Sequence, residues 1–224
     1  MKNKSLYLII AALLFSAISI NSSYEKKTAK ISNSYFPINN GQILVYESSF
    51  GESSTKYIQD GELIISLSEG DDFKYKQSLM IKEDGVYSIK TYQYLKIFLF
   101  LKKEATVTYS KPLLRFPLPL LPGARWEWEG EEYSDGDVNK VKVTGKAFAK
   151  EFIMTKAGNI EAIKIETIIE SGEDVKNRIT EWYAEGLGLI KARIIIEGGG
   201  MMGLLRDVLG YGTIDFELAE IRTE

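Results

Sequence analysis

The sequence contains neither cysteine nor histidine among its 224 residues. Without cysteine there can be no disulfide, no thiolate nucleophile, no lipid-modified N-terminal cysteine and no cysteine-ligated zinc or iron–sulfur centre. Without histidine there is no Ser-His-Asp triad, no imidazole base and no histidine-ligated metal. These two absences remove most of the common catalytic and metal-binding arrangements. We therefore expect a protein that is not an enzyme and that carries no cofactor and no metal.

The sequence also lacks an excess of basic residues. It has 28 Lys and Arg residues against 31 Asp and Glu residues, a formal net charge of −3. A surface of this kind has no electrostatic footprint for nucleic acid and does not attract anionic lipid by charge alone. Hydrophobic residues make up 45% of the chain, which is enough for a sizeable core without disulfides. We expect a globular protein with no nucleic-acid partner.

The N-terminus has the three parts of a secretory signal peptide. Lys2 and Lys4 flank an apolar run from Leu6 to Phe15, and small and polar residues follow up to Ser23. This order predicts a signal peptide over residues 1–23 and export to the periplasm or beyond the cell. An uncleaved anchor is the alternative, although the apolar stretch is shorter than the ~20 residues of a membrane-spanning helix. Cleavage would remove two lysines and no acid, leaving a net charge of −5 and no transmembrane helix.

From residue 35 onward, short segments rich in β-branched and aromatic residues alternate with turn pairs. Asp-Gly, Gly-Asn and Ser-Gly pairs recur between them, and such pairs are typical of hairpin turns. The pattern predicts a single all-β domain over residues 35–224, preceded by a polar linker over residues 24–34. A sandwich, a barrel and an open half-barrel all fit such a sequence. The preferred architecture is a curved antiparallel sheet or an open half-barrel.

Four of the five prolines fall within residues 112–122. Because proline cannot donate a hydrogen bond to a sheet ladder, this segment predicts a strand edge or a crossing segment. It divides the domain into two halves, about 35–111 and 112–224.

A weak internal repeat supports this division. Phe36-Pro37 precedes a Gly-x-x-Leu-x-Tyr-Glu pattern, and Phe116-Pro117 precedes a Gly-x-x-Trp-x-Trp-Glu pattern. We interpret the chain as one domain built from two related meanders. Two small packed domains remain the alternative.

Tryptophan and tyrosine side chains supply the candidate ligand site. Trp126 and Trp128 alternate with Glu127 and Glu129, which predicts a strand with one aromatic face and one wet face. Concave pockets lined by apolar and aromatic side chains are the usual sites for small ligands. Simple core packing is the alternative, since large aromatic residues are usually buried. The candidate lining residues for a lipid or another apolar ligand are Trp126, Trp128, Trp182 and Tyr183.

Three shorter patterns resemble known sites without their required context. Gly198–Gly203 matches G-x-G-x-x-G, but the rest of a βαβ nucleotide-binding unit is missing after it. Asp135-x-Asp137-x-Asn139 begins like a calcium loop, but a lysine replaces the essential glycine at its sixth position. The glutamates from 127 to 132 have no second carboxylate cluster to act with. We interpret these patterns as a loop, a hairpin turn and a charged strand face.

The segment from Trp182 to Lys191, Trp-Tyr-Ala-Glu-Gly-Leu-Gly-Leu-Ile-Lys, follows an alternating strand and an Ala-Gly turn. It resembles a Trp-Tyr-Ala-x-Gly-x-Gly-x-[Ile/Val]-Lys motif of exported, β-rich bacterial proteins of uncharacterised function. The resemblance covers roughly residues 35–193 and implies an architecture similar to that of the lipoprotein carriers, a curved antiparallel sheet with an apolar concave face. The sequence departs from that group in lacking a lipoprotein cysteine and in having Glu185 where proline is usual. The resemblance transfers no catalytic residue.

These observations predict an exported, non-enzymatic β protein that binds an apolar ligand or a partner protein of the cell envelope. The alternative is a structural or interaction module that pairs through an exposed strand edge and has no ligand pocket.

Overall fold

The computed structural model describes residues 34–39, 41–49, 51–98, 101–172, 175–198 and 212–223. The predicted signal peptide, the linker up to residue 33 and most of the Gly198–Gly203 pattern lie outside these residues. The described part contains twelve strands and no helix, so it has no helix that could cross a membrane. The strands are β1 (Gln42–Ser48), β2 (Gly51–Asp60), β3 (Leu63–Gly70), β4 (Phe73–Lys82), β5 (Gly85–Phe98), β6 (Leu101–Pro117), β7 (Arg125–Ser134), β8 (Asp137–Thr155), β9 (Gly158–Ser171), β10 (Val175–Ala184), β11 (Gly188–Gly198) and β12 (Thr213–Thr223).

The strands form because apolar and polar residues alternate along them, so that each strand has a buried and a wet face. In β7, Trp126 and Trp128 are buried, whereas Glu127 and Glu129 are exposed. The outer faces carry cross-strand ion pairs, such as Lys142 with Glu129 at 3.1 Å. The predicted alternation of this strand is confirmed.

The twelve strands close into a single antiparallel barrel. Each strand pairs with its neighbours in the chain, and β1 pairs with β12 from Gln42–Thr223 to Ser48–Phe216. The prediction of an all-β antiparallel architecture is confirmed, but the prediction of an open half-barrel is wrong. The sheet closes because its first and last strands hydrogen-bond to each other, a contact between the two ends of the domain that local sequence patterns do not reveal. The boundaries predicted for the domain and its two halves remain predictions.

The segment of residues 34–39 fills one end of the barrel. Its anchor is a hydrogen bond from the Gly186 amide to the Ser34 carbonyl at 2.7 Å. Phe36 is buried, stacks on Phe116 with 5.9 Å between ring centroids, and lies 5.5 Å from the ring of Tyr183. These rings belong to the largest apolar cluster of the protein's described part. This end of the barrel is therefore closed by side chains.

The backbone ladder between neighbouring described strands is shortest between β6 and β7. These strands pair over only three residues, from Val107–Ser134 to Tyr109–Glu132, whereas every other neighbouring pair of described strands matches at least five residues. Beyond this ladder the register pairing ends although the strands stay adjacent, and residues 118–124 connect them. We call the unpaired stretch, residues 110–117 of β6 and 125–131 of β7, the seam. Its position in the proline-rich segment agrees with the expected strand edge.

Two tryptophan rings of β7 lie so close to glycines that any larger residue at the glycine positions would collide with them. A Cβ atom built on Gly145 of β8 would lie 2.1 Å from the ring of Trp126. A Cβ atom on Gly130 would lie 2.5 Å from the ring of Trp128. Because packed interiors accept little extra volume, these glycines fix the positions of both rings.

We expect the Gly145→Ala substitution to lower the free energy of unfolding by about 1–3 kcal/mol, because the added methyl group overpacks the Trp126 ring. The matched control is Thr144→Ala, one position away and half-buried, which should change it by less than about 0.5 kcal/mol. Urea denaturation followed by tryptophan fluorescence measures both. A Gly145→Ala protein as stable as the wild type would contradict this packing.

Candidate functional site

A buried ion pair crosses the interior of the barrel. Arg115 of β6 and Glu181 of β10 are only 8% and 3% exposed, and Nη2 of Arg115 donates to Oε1 of Glu181 at 2.7 Å. The same Nη2 donates to the Tyr183 hydroxyl at 3.1 Å, and this hydroxyl donates to Glu181 at 2.9 Å. Gln77 of β4 accepts a longer hydrogen bond from Nη1 of Arg115 at 3.4 Å. Three separate strands therefore meet at one polar centre.

The electrostatics of this centre favour an ion pair whose two opposite charges cancel. Burial is the largest influence on the pKa of Arg115 and lowers it, but the charge of Glu181, the nearby Tyr183 and Tyr75, and the hydrogen bond to Glu181 together outweigh burial and raise the pKa. Burial, together with the charge of Glu181, raises the pKa of Tyr183 well above its ordinary value. Burial also raises the pKa of Tyr57 to about 12. The tyrosine hydroxyls therefore keep their protons at physiological pH and serve as hydrogen-bonding groups, not as bases.

A cavity of about 60 Å³ adjoins the ion pair. This volume holds a few water molecules or a compact polar group. Most of the surface of its wall is apolar, and the ion pair together with uncharged hydroxyl and amide side chains supplies the smaller polar part. The hydroxyl and amide groups on the wall come from Tyr46, Ser53, Thr55, Tyr57, Ser66, Ser68, Tyr75, Gln77 and Tyr183.

A second, smaller cavity of about 10 Å³ is also lined by Arg115 and Glu181. Apart from this pair and Thr167, its walls are apolar: they consist of Leu113, Leu114, Val143, Ile169 and Ile179. The ion pair thus borders two cavities, a larger one with hydroxyl groups on an otherwise mostly apolar wall and a smaller one lined mainly by aliphatic side chains. This arrangement is amphiphilic.

The structure places the four predicted lining residues in different environments. Tyr183 lines the larger cavity. Trp126 and Trp128 are buried within the barrel, 7% and 6% exposed, in two separate apolar clusters. Trp182 shares the outer face of β10 with Lys176 and Arg178, and its indole Nε1 donates to Glu151 at 2.7 Å. The structure does not bring the four together, and ligand binding by them remains a prediction.

The reasoning from sequence missed the ion pair. The sequence of β10 contained an indication of it. Alternation along this strand places Glu181 on the same face as Ile179, and Trp182 on the opposite face with Lys176 and Arg178. A glutamate on an apolar face implies a buried partner. No local pattern could have identified that partner as Arg115, because the two residues are 66 positions apart and their strands are separated by β7, β8 and β9.

Glu132 is a second buried carboxyl group. Its side chain is 5% exposed. It accepts a long hydrogen bond from the Ser171 hydroxyl at 3.5 Å and a hydrogen bond from Asn139. No ion pair to Glu132 is present among the described residues. Burial therefore raises the pKa of Glu132 to about 8. At neutral pH this side chain holds a proton.

We expect the free energy of unfolding to fall as the pH rises from about 4.5 to about 8. Within this range the folded protein keeps the Glu132 proton, whereas the unfolded chain releases it, so alkaline conditions favour unfolding by up to about 5 kcal/mol. Glu132→Gln should match the wild type near pH 4.5 and become progressively more stable than it up to pH 8.5. Urea denaturation at a series of pH values measures this, with exposed Glu127→Gln as the control. Parallel pH profiles for wild type and Glu132→Gln would contradict the assignment.

No group of three or more metal-ligating Asp or Glu side chains occurs in the described part of the chain. The polar centre around Arg115 and Glu181 therefore remains the candidate site, with hydrogen-bonding groups as its chemistry.

Comparison with known proteins yields only distant similarity. No family model matches the chain, and no curated protein matches it. Among solved structures, a candidate lipoprotein from Parabacteroides distasonis is similar at 13% identity and a TM-score of 0.42, covering 86% of this chain and all of its own. A candidate exported protein with a YmcC-like fold from Bacteroides fragilis is similar at 14% identity and a TM-score of 0.39, covering 84% of this chain and 99% of its own. Similarities this low carry no inference about the function of this chain.

Proposed function

We propose that the protein is an exported, non-enzymatic β-barrel that binds a small amphiphile, with the uncharged polar group of the ligand in the cavity beside Arg115 and Glu181. The observation that carries this proposal is a cavity of mainly apolar surface that borders a buried ion pair. A barrel that needed only stability would gain by filling this space with apolar side chains, because buried ion pairs rarely contribute more than well-packed hydrophobic residues of equal volume. Retaining such a centre favours a binding role.

The charges of the site favour an uncharged ligand group. Glu181 already neutralises Arg115, so a carboxylate or an ammonium group would be buried without a counter-charge, at considerable cost. A hydroxyl-bearing group would instead exchange hydrogen bonds with the hydroxyls on the wall. The aliphatic side chains around the second cavity are the apolar surface nearest the ion pair, and this cavity has to widen to take an apolar tail.

The remaining parts of the proposal have separate support. Export is based on the sequence pattern of residues 1–23. The absence of enzymatic activity is supported by the electrostatics of the centre, since the paired Arg115 and the protonated Tyr183 cannot abstract a proton at neutral pH.

A role as an interaction module is the alternative, with an envelope protein as its partner. Strand pairing would require a free edge, and among the described strands the seam is the stretch where such an edge occurs. Pro112 lies on this edge and has no amide hydrogen to donate, which disfavours the addition of another strand.

We expect the protein to bind N-phenyl-1-naphthylamine saturably, and monolauroylglycerol to displace this fluorescent probe far better than laurate or dodecylammonium. Tyr183→Phe removes one hydroxyl from the cavity wall and should weaken monolauroylglycerol binding by about tenfold, the equivalent of one hydrogen bond. Trp182→Phe is the matched control, because it changes the neighbouring residue on the outer face and should bind normally. Absence of saturable binding by the wild type, or equal losses in both variants, would refute the proposal.

A further inference from the structure

The seam between β6 and β7 is held together by side chains in place of a backbone ladder. The indole Nε1 of Trp128 reaches across it and donates to the Pro112 carbonyl at 2.9 Å. At the end of the seam next to the β6–β7 ladder, the Glu131 amide donates to the Ser110 hydroxyl at 2.9 Å. Two hydrogen bonds through side chains replace what would be a continuous row of backbone bonds, so this is where the strands can part at the lowest cost.

The packing around the seam is imperfect. The indole Nε1 of Trp126 is buried and has no hydrogen-bond partner among the described residues. Lys111, which is exposed, lies over the ring of Trp128 with its ammonium nitrogen 5.8 Å from the ring centroid. A solvent-exposed cation therefore reaches the face of a ring that otherwise belongs to the barrel interior. Trp128 is the side chain that separates the interior from solvent at this point.

The candidate site lies directly behind this part of the wall. Leu113 and Leu114 belong to the seam residues of β6, and both line the small aliphatic cavity. The same cavity is bounded by Arg115 and Glu181, which also line the larger cavity. A path from the seam to the polar centre thus crosses one layer of side chains.

We propose that the seam is a lateral portal through which the amphiphile reaches the interior, with Trp128 as its gate. The inference rests on the proposed binding function. The strands separate along residues 110–117 and 125–131, the Trp128 indole leaves the Pro112 carbonyl, and the polar group of the ligand passes between Leu113 and Trp128 toward Arg115. The apolar tail then lies in the opened seam, and the small aliphatic cavity behind it widens as the strands separate.

The first test requires no ligand. Hydrogen–deuterium exchange should be faster in peptides covering residues 110–117 and 125–131 than in peptides from the fully paired strands β9 and β10, because transient opening exposes the seam. Exchange at the seam as slow as in β9 and β10 would overturn the portal, whatever the protein binds.

The second test locks the portal. The sequence has no cysteine, so Lys111→Cys and Glu129→Cys place two unique thiols on exposed residues on either side of Trp128. A reducible ethylene bis-methanethiosulfonate linker then joins β6 to β7. The matched control joins Lys176→Cys to Glu170→Cys, an exposed pair in register on the fully paired strands β10 and β9. Single-cysteine variants with the same reagent control for modification alone.

We expect the linker across the seam to slow association of N-phenyl-1-naphthylamine by about tenfold or more, as for any step that must wait for a conformational change. Reduction of the linker should restore the rate, and the control linker should have no effect. Unchanged association with the seam locked would overturn the portal while leaving the proposed function intact. No binding by the unmodified wild type would instead refute the proposed function, and the portal with it.

Discussion

The ion pair between Arg115 and Glu181 is the constraint on which the interior of the barrel depends. Both side chains are withdrawn from water, so each is tolerated only because the other lies within 2.7 Å. Their strands lie on different parts of the wall, and closure of the barrel is what brings them together. Tyr183 and Gln77 then align around the pair. An interior arranged in this way keeps a polar centre, and the cavity beside it is bordered by hydroxyl-bearing as well as apolar side chains.

The residues on the two sides of the ion pair differ in polarity, and this difference makes the site amphiphilic. On one side, hydroxyl groups of β2 and β3 face the pair, including Ser53, Thr55 and Ser66. On the other, aliphatic residues of β6, β9 and β10 approach it. Twelve strands enclose more space than eight strands do, and the interior of an eight-stranded barrel is nearly filled by its side chains. Here the additional space is partly occupied by the segment of residues 34–39, whose rings close one end.

Local features of the fold could be predicted from the sequence, whereas its long-range contacts could not. The alternation of Trp126 and Trp128 with glutamates, the hairpin turns and the proline-rich interruption are local, and the strands follow them. The two Phe-Pro pairs of the internal repeat place Phe36 and Phe116 in a stack at 5.9 Å, and a glycine with positive φ follows each pair, at Gly41 and Gly123. Barrel closure and the partner of Glu181 depend on residues far apart in the chain. The orientation of Trp182 could have been deduced from its neighbours Lys176 and Arg178.

The central claim is that the polar centre is kept for binding at the expense of stability. The most direct test replaces both partners at once, in the double variant Arg115→Met with Glu181→Met, and measures urea denaturation and displacement of N-phenyl-1-naphthylamine by monolauroylglycerol on the same protein. The account predicts that the double variant is at least as stable as the wild type, with a gain of up to about 4 kcal/mol, and that it no longer discriminates monolauroylglycerol from laurate. A double variant that is several kcal/mol less stable and that still prefers monolauroylglycerol would contradict it.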